Sequence, residues 1–176
     1  AELGNVREAR QQASAALATG EDIREVAALA LARAGDAAGA QAIVGKLATL
    51  SATDIWVNNY WLPNIRAAIE LAHKNPEQAL KELEIAKPYE LGGDPITLDT
   101  LYPVYLRGEA YLMQRNASAA IAEFEKIPEH RGRAGNGILG ALAYLQLGRA
   151  YALASETQKA KTEYQEFLTL WKNSEP

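Results

Sequence analysis

The sequence predicts an all-α chain of stacked antiparallel helix pairs. Helix-forming residues dominate, and segments with the alternating period of a strand are missing. Chain breakers fall in short clusters between longer amphipathic runs. A small residue recurs at positions 28, 67, 108 and 148, in steps of 39, 41 and 40 residues. Such a period marks a repeat array, in which each unit buries its apolar face only against a neighbour.

Nine helices are expected, at 4–18, 21–34, 37–50, 54–73, 76–86, 98–114, 117–127, 136–154 and 157–172. The first, within 1–20, is an extra N-terminal helix that begins in AELGNVREAR. Repeat one (21–50) pairs its two helices across Gly35-Asp36. Repeat two (54–87) turns at Asn75-Pro76. Pro63 removes a backbone donor inside 54–73, so it is expected to kink that helix or to begin its second part. His73 suits the C-terminal end of the same helix, where a cation meets the negative pole. Repeat three (98–128) turns at Arg115-Asn116, with Asn116 well placed to cap the next helix. Repeat four (136–172) completes a single domain. Links this short join antiparallel neighbours. Extra residues fall in the connections SATDIW (51–56), KPYELGGDPITLDT (87–100) and IPEHRGRAGNG (127–137).

Gly148 lies in mid-helix, where glycine costs about 1 kcal/mol relative to alanine. Its presence there is explained if a second helix comes very close. The spacing W-x2-L-G-x2-Y followed by A-x3-F defines the tetratricopeptide pattern. Tyr144, Leu147, Gly148, Tyr151, Ala160 and Tyr164 fit it. Gly108, Tyr111, Ala120 and Phe124 repeat it, as do Ala67, Ala79, Leu83 and Ala86, and Ala28, Leu31, Ala40, Val44 and Leu47. Small residues in both helices of a hairpin let them nest. Tyr151 and Tyr164 are then expected to fill space toward neighbouring helices. The fold expected is a right-handed superhelix of antiparallel helix pairs with one concave surface.

Composition excludes several function classes. The chain of 176 residues has no cysteine and two histidines, so neither disulfides nor thiolate metal sites are available. Eighteen basic against twenty-two acidic residues give a net charge of −4. Nine basic and eleven acidic residues fall on each side of the Lys87–Pro88 bond, so no basic lobe is set aside for nucleic acid. No apolar run approaches the roughly 20 residues of a membrane span. The acidic residues sit at helical spacing on polar faces, and no metal, cofactor or catalytic site is expected. The chain reads as a soluble domain of a longer polypeptide, on a cytoplasmic or periplasmic side that its residues leave open.

The segments LALARAGDAAGAQAI, AKPYELGG, LYPVYLRGEAYL, FEKIPEHRGR and GALAYLQLGRAYALASETQKAKTEYQEFLTLWK, in that order over roughly 21–172, carry a more specific likeness. They resemble the C-terminal tetratricopeptide region of certain bacterial serine/threonine protein kinases and winged-helix transcriptional regulators. The resemblance implies a sensor or protein-interaction module of a larger signalling protein. It transfers no catalytic residue, since the kinase phosphate loop and the H-R-D and D-F-G motifs are absent from this sequence.

Family geometry, projected from the small residue, places Trp61, Asn64, Tyr102, Tyr105, Glu109, Met113, Leu145 and Arg149 on the concave face. That mixture suits a peptide or protein segment, with aromatic contact area and Arg149 facing a carboxylate. Glu25 and Leu29 stand where chaperone-binding relatives need Lys and Asn, so that mode is not expected. Tyr105→Ala combined with Arg149→Ala is expected to leave stability within about 1–2 kcal/mol. Two other readings compete. A small ligand or glycan would stack on Trp56, Tyr60 and Trp61, although Trp56 and Tyr60, four apart, more often mean core. Self-association as a homodimer would use an apolar edge at Phe167, Leu170 and Trp171. The loop Glu129-His130-Arg131-Gly132-Arg133 offers two guanidiniums to an anion, or else hydrogen-bonds within the chain.

Overall fold

The computed structural model describes residues 2, 4–19, 23–92, 101–134 and 137–172. Every regular element among them is helical, and none is long and apolar enough to cross a membrane. The chain divides into two compact units, 1–87 and 88–176. The expected helix starts at 21, 98 and 136 fall outside the described residues.

The first unit contains α1 (Val6–Thr19), α2 (Arg24–Arg33), α3 (Ala37–Leu50), α4 (Leu62–Ala72) and α5 (Pro76–Leu83). Helix α1 packs on α2, and α4 packs on both α2 and α3. Arg10 ties α1 down by donating from Nε and Nη2 to the Ala34 carbonyl at 3.1 and 2.8 Å. In α3 the buried residues Ala40, Ile43, Val44 and Leu47 form one stripe, and the Asp36 side chain caps its start by accepting from the Gly39 N–H at 3.0 Å. Before α4 the chain makes a π turn at Val57–Trp61, with the Leu62 N–H bonded to the Val57 carbonyl. Pro63, second in α4, cannot donate to the preceding turn, which accounts for the shift in register there. His73 is the C-cap residue of α4.

The second unit contains α6 (Tyr102–Met113), α7 (Ala117–Glu129), the short α8 (Arg131–Ala134), α9 (Ile138–Leu153) and α10 (Thr157–Trp171). Helix α9 packs on both α6 and α7, the arrangement that α4 adopts on α2 and α3. Helix α7 runs past Pro128, two residues beyond the expected end, and the His130 N–H closes it onto the Lys126 and Ile127 carbonyls. Residues 131–134, expected within a connection, form a helical turn.

Both units are built from helix hairpins with one turn geometry. Gly35, Lys74, Arg115 and Ser155 all adopt positive φ, between 57° and 73°. After each, the next N–H reaches back to a carbonyl five residues earlier: Asp36 to Leu31, Asn75 to Glu70, Asn116 to Tyr111 and Glu156 to Tyr151, at 2.8–2.9 Å. These are Schellman closures, which satisfy carbonyls left open at a helix C-terminus. Only the first uses glycine. The left-handed conformation costs an L-residue about 1–2 kcal/mol, offset in part by the entropy glycine loses on folding. Lys74→Gly, Arg115→Gly and Ser155→Gly are therefore each expected to stabilise by about 0.5–1 kcal/mol in thermal unfolding. A loss in all three would show that contacts of the native side chains outweigh backbone strain.

The recurring small residues all lie inside the packed helices. Ala28, Ala67, Gly108 and Gly148 are all buried, as are Ala40, Ala79, Ala120 and Ala160 in the partner helices. A Cβ added to Gly108 would lie 2.5 Å from Cε1 and Cζ of Phe124, and one added to Gly148 would overlap the ring of Tyr164. Tyr164 thus fills the crossing of its own hairpin rather than space toward a neighbour. Tyr151 does reach a neighbouring helix: its hydroxyl donates to Glu125 Oε1 of α7 at 2.7 Å. Burial, then that bond, pushes the phenol well above its ordinary range.

Glu163 of α10 is an electrostatic cost beside these contacts. Burial, then the charges of Glu166 and Glu125, hold its carboxyl above the ordinary value. A raised folded-state pKa means a contribution most favourable below the ordinary carboxylate pKa and lost as pH rises through the folded value. Glu163→Gln is expected to raise Tm at pH 7 and to lose that advantage below about pH 4. An unchanged Tm at pH 7 would contradict the assignment.

Candidate functional site

The expected concave-face residues separate into two groups, one in each unit. In the first, Trp61 and Trp56 are half-buried and Tyr60 is fully buried between them, its ring 5.3 Å from Trp61 and 5.7 Å from Trp56 in edge contacts. Tyr60 is therefore a core residue and presents no face to a sugar ring. Asn64 is also fully buried, which corrects its placement on a binding surface. Its Nδ2 donates to the Tyr60 carbonyl at 3.0 Å, while Oδ1 finds no partner among the described residues. Asn64 lies in α4 with Ala67, from which it was projected, but that helix is buried on nearly every side, so the spacing catches a core residue; Tyr60 agrees with the core reading of its four-residue spacing from Trp56.

In the second unit, α6 and α9 bring several of the expected residues together. Glu109, Arg149, Leu145 and Tyr102 are accessible or half-buried, and Met113 is exposed at the end of α6. Tyr105 is not accessible. It is 2% exposed and packs edge-on against Phe124, with ring centroids 5.8 Å apart. Helix α6 is apolar nearly all round, so a face projected by spacing catches a core tyrosine. Tyr105→Ala is consequently a change to the core, and the expected tolerance of the pair with Arg149→Ala does not hold.

The polar centre of this face is Gln146, which spacing did not single out. It is 5% exposed, on α9. Its Nε2 donates to the Tyr105 hydroxyl at 2.9 Å and to Glu109 Oε1 at 3.3 Å. Its Oε1 accepts from Arg149 Nη1 at 3.1 Å. The amide orientation follows from these partners. Reversed, it would set oxygen against the Glu109 carboxylate and NH2 against the guanidinium. Gln146 thus joins α6 to α9 and fixes one nitrogen of an otherwise exposed guanidinium.

A second polar centre on α6 serves architecture. Arg107 is 1% exposed, and its Nη2 lies 2.5 Å from Glu90 and 2.9 Å from Glu123 of α7. Lys126 also pairs with Glu123, at 3.0 Å. Burial opposes the Arg107 charge, but the hydrogen bond and charge of Glu123, then those of Glu90, outweigh it and raise its pKa. The loop 129–133 is likewise used inside the chain: His130 Nδ1 bonds the Lys126 carbonyl, Arg131 bonds the Tyr144 hydroxyl, and Arg133 donates to the Gly92 carbonyl.

The edge expected to self-associate is largely occupied by its own contacts. Phe167 and Trp171 stack with centroids 5.3 Å apart, both half-buried, and Phe167 packs on the core. The outward side of α10 carries Gln158, Lys161, Thr162, Gln165 and Thr169, while Leu168 and Leu170 stay exposed at its flanks. No group of three or more His, Asp or Glu among the described residues could hold a metal ion.

No family model, curated protein or solved structure matches this chain.

Proposed function

We propose that the chain is a non-catalytic protein-interaction or sensor module of a larger bacterial signalling protein. Its hairpins are tetratricopeptide-like repeats of a right-handed superhelix, and the α6–α9 face holds a peptide or protein segment. The observation that carries this reading is the braced, exposed Arg149, reached from the core through Gln146, with half-buried Leu145 one turn before it on α9. An accessible charge held by a buried amide beside apolar area has the composition of a recognition surface. The repeated turn and the buried small residues support the repeat assignment. The polar outer side of α10 favours segment binding over self-association, as expected of a capping helix.

A photo-crosslinking side chain placed in living cells at Leu145 or Met113 is expected to trap a discrete protein partner. The same group at Gln158, on the outer side of α10, is expected to trap none. Equal trapping from all three positions, or trapping from Gln158 alone, would reject the face.

A further inference from the structure

We infer that the first unit docks on a zwitterionic lipid surface through one end of its helices, where Val26, Leu50, Ile55 and Ile85 are exposed. Among the described residues of 1–87, the exposed large apolar side chains are these four and Val6. The topology gathers the four. Val26 is in the first turn of α2, Leu50 closes α3, Ile55 lies in the link into α4, and Ile85 follows α5. Successive helices joined by short links run antiparallel, so the start of α2, the end of α3, the start of α4 and the end of α5 share one end of the unit. Val6 is at the other end, where Arg10, one turn on from it, bonds the Ala34 carbonyl after α2. That end holds the turns at Gly35 and Lys74 and carries Asp36, His73 and Glu77.

The link between α3 and α4 also holds its own polar groups. Asn58 Nδ2 donates to the Ser51 and Asp54 carbonyls at 2.7 Å, with the Ala52 carbonyl 3.3 Å away. The Asp54 N–H bonds the Ser51 carbonyl, and the Val57 N–H donates to Asp54 Oδ1 at 3.0 Å. Beside them Leu50 and Ile55 keep 70% and 60% of their surface exposed. A protein partner reads a surface through hydrogen bonds as well as apolar contact, and carbonyls already taken offer few. A lipid surface asks for none and penalises open ones. Charge points the same way. Arg24, Lys46 and Lys87 stand against Glu25, Asp54 and Glu84 at this end, with Lys87 and Glu84 paired at 2.7 Å, a balance that suits headgroups carrying one charge of each sign. A second copy fits less well, because four partly exposed aliphatic side chains present on the order of a few hundred Å², below the roughly 800 Å² each partner buries in a stable pair. Such docking is peripheral, since no described helix is long and apolar enough to cross a membrane. It does not depend on the α6–α9 face.

The test sediments the full chain with sucrose-loaded vesicles of phosphatidylcholine, and with vesicles in which phosphatidylglycerol replaces half of that lipid. Partition onto phosphatidylcholine is expected, and it is expected to persist when salt is raised, because the contact is apolar. Leu50→Ser combined with Ile55→Ser is expected to weaken it at least about tenfold, through the loss of two aliphatic side chains that enter the lipid. Leu168→Ser combined with Leu170→Ser, at exposed positions of α10, is expected to leave it unchanged. All four positions are exposed, so circular dichroism and Tm are expected to stay the same in both variants, which separates lost docking from lost fold. Equal weakening by the two pairs would overturn the assignment of this end. Absence of binding to phosphatidylcholine would overturn the lipid surface itself. Binding seen only with phosphatidylglycerol, and lost at high salt, would replace it by attraction between charges. Dimerisation abolished by Leu50→Ser with Ile55→Ser, without vesicle binding, would overturn it in favour of a second copy.

Discussion

Gly108→Leu lowers the stability of the protein by about 3 kcal/mol or more, because the space it would enter is already filled by a ring that has nowhere to go. The first added atom would stand 2.5 Å from Phe124 Cε1 and Cζ and 2.8 Å from Cδ1. Phe124 is fully buried and also packs edge-on against Tyr105. Gly108→Ala makes the sharper test of sign. Helix propensity alone favours alanine by about 1 kcal/mol, whereas overpacking typically costs about 1–3 kcal/mol. Alanine is therefore expected to destabilise at Gly108. At Gly45, exposed in the middle of α3, an added Cβ meets nothing within 4 Å, and Gly45→Ala is expected to stabilise by about 0.5–1 kcal/mol. Urea midpoints with unchanged slopes would measure both. A gain at both positions would mean that the α6–α7 crossing is not tight.

Arg107→Ala is expected to cost about 3–5 kcal/mol, the scale for removing one partner from a buried ion pair. Glu90 and Glu123 keep only 14% and 12% of their side chains exposed beside Arg107. Without the guanidinium, Glu90 loses its buried counter-ion and Glu123 keeps only Lys126. The cost lies in stranded charge rather than in lost attraction, since the pair must first overcome its own desolvation. Two further changes separate these causes. The triple variant Arg107→Met, Glu90→Gln and Glu123→Gln leaves no charge stranded, and it is expected to recover most of the stability lost in Arg107→Ala. A triple variant as unstable as the single one would assign the loss to packing by the long side chain.

What could be read from the chain alone was what repeats. Small residues at 28, 67, 108 and 148 are visible because their period survives changes of side chain, and their burial follows from one packing rule applied in each hairpin. The turns at Lys74, Arg115 and Ser155 are less legible, because none of these residues announces a left-handed backbone and only Gly35 signals the shared geometry. Contacts between residues far apart in sequence left no trace. Nothing about Arg107 points to Glu90, seventeen positions earlier outside any long helix. Gln146 sits in a helix otherwise rich in leucine and alanine, where one amide resembles a surface residue until Tyr105 and Glu109 are seen beside it. Tyr105 and Asn64 were misplaced for related reasons. Spacing gives an angle around a helix, but burial depends on what packs at that angle, and α4 and α6 are buried on nearly every side.

A double-mutant cycle between Gly108→Ala and Phe124→Leu asks most directly whether a small residue facing a ring sets the crossing of these hairpins. If it does, trimming the ring makes room for the new methyl group, and the double variant is more stable than the two single losses imply by at least about 1 kcal/mol. Losses that simply add, within about 0.5 kcal/mol, would show that Gly108 and Phe124 do not compete for the same space.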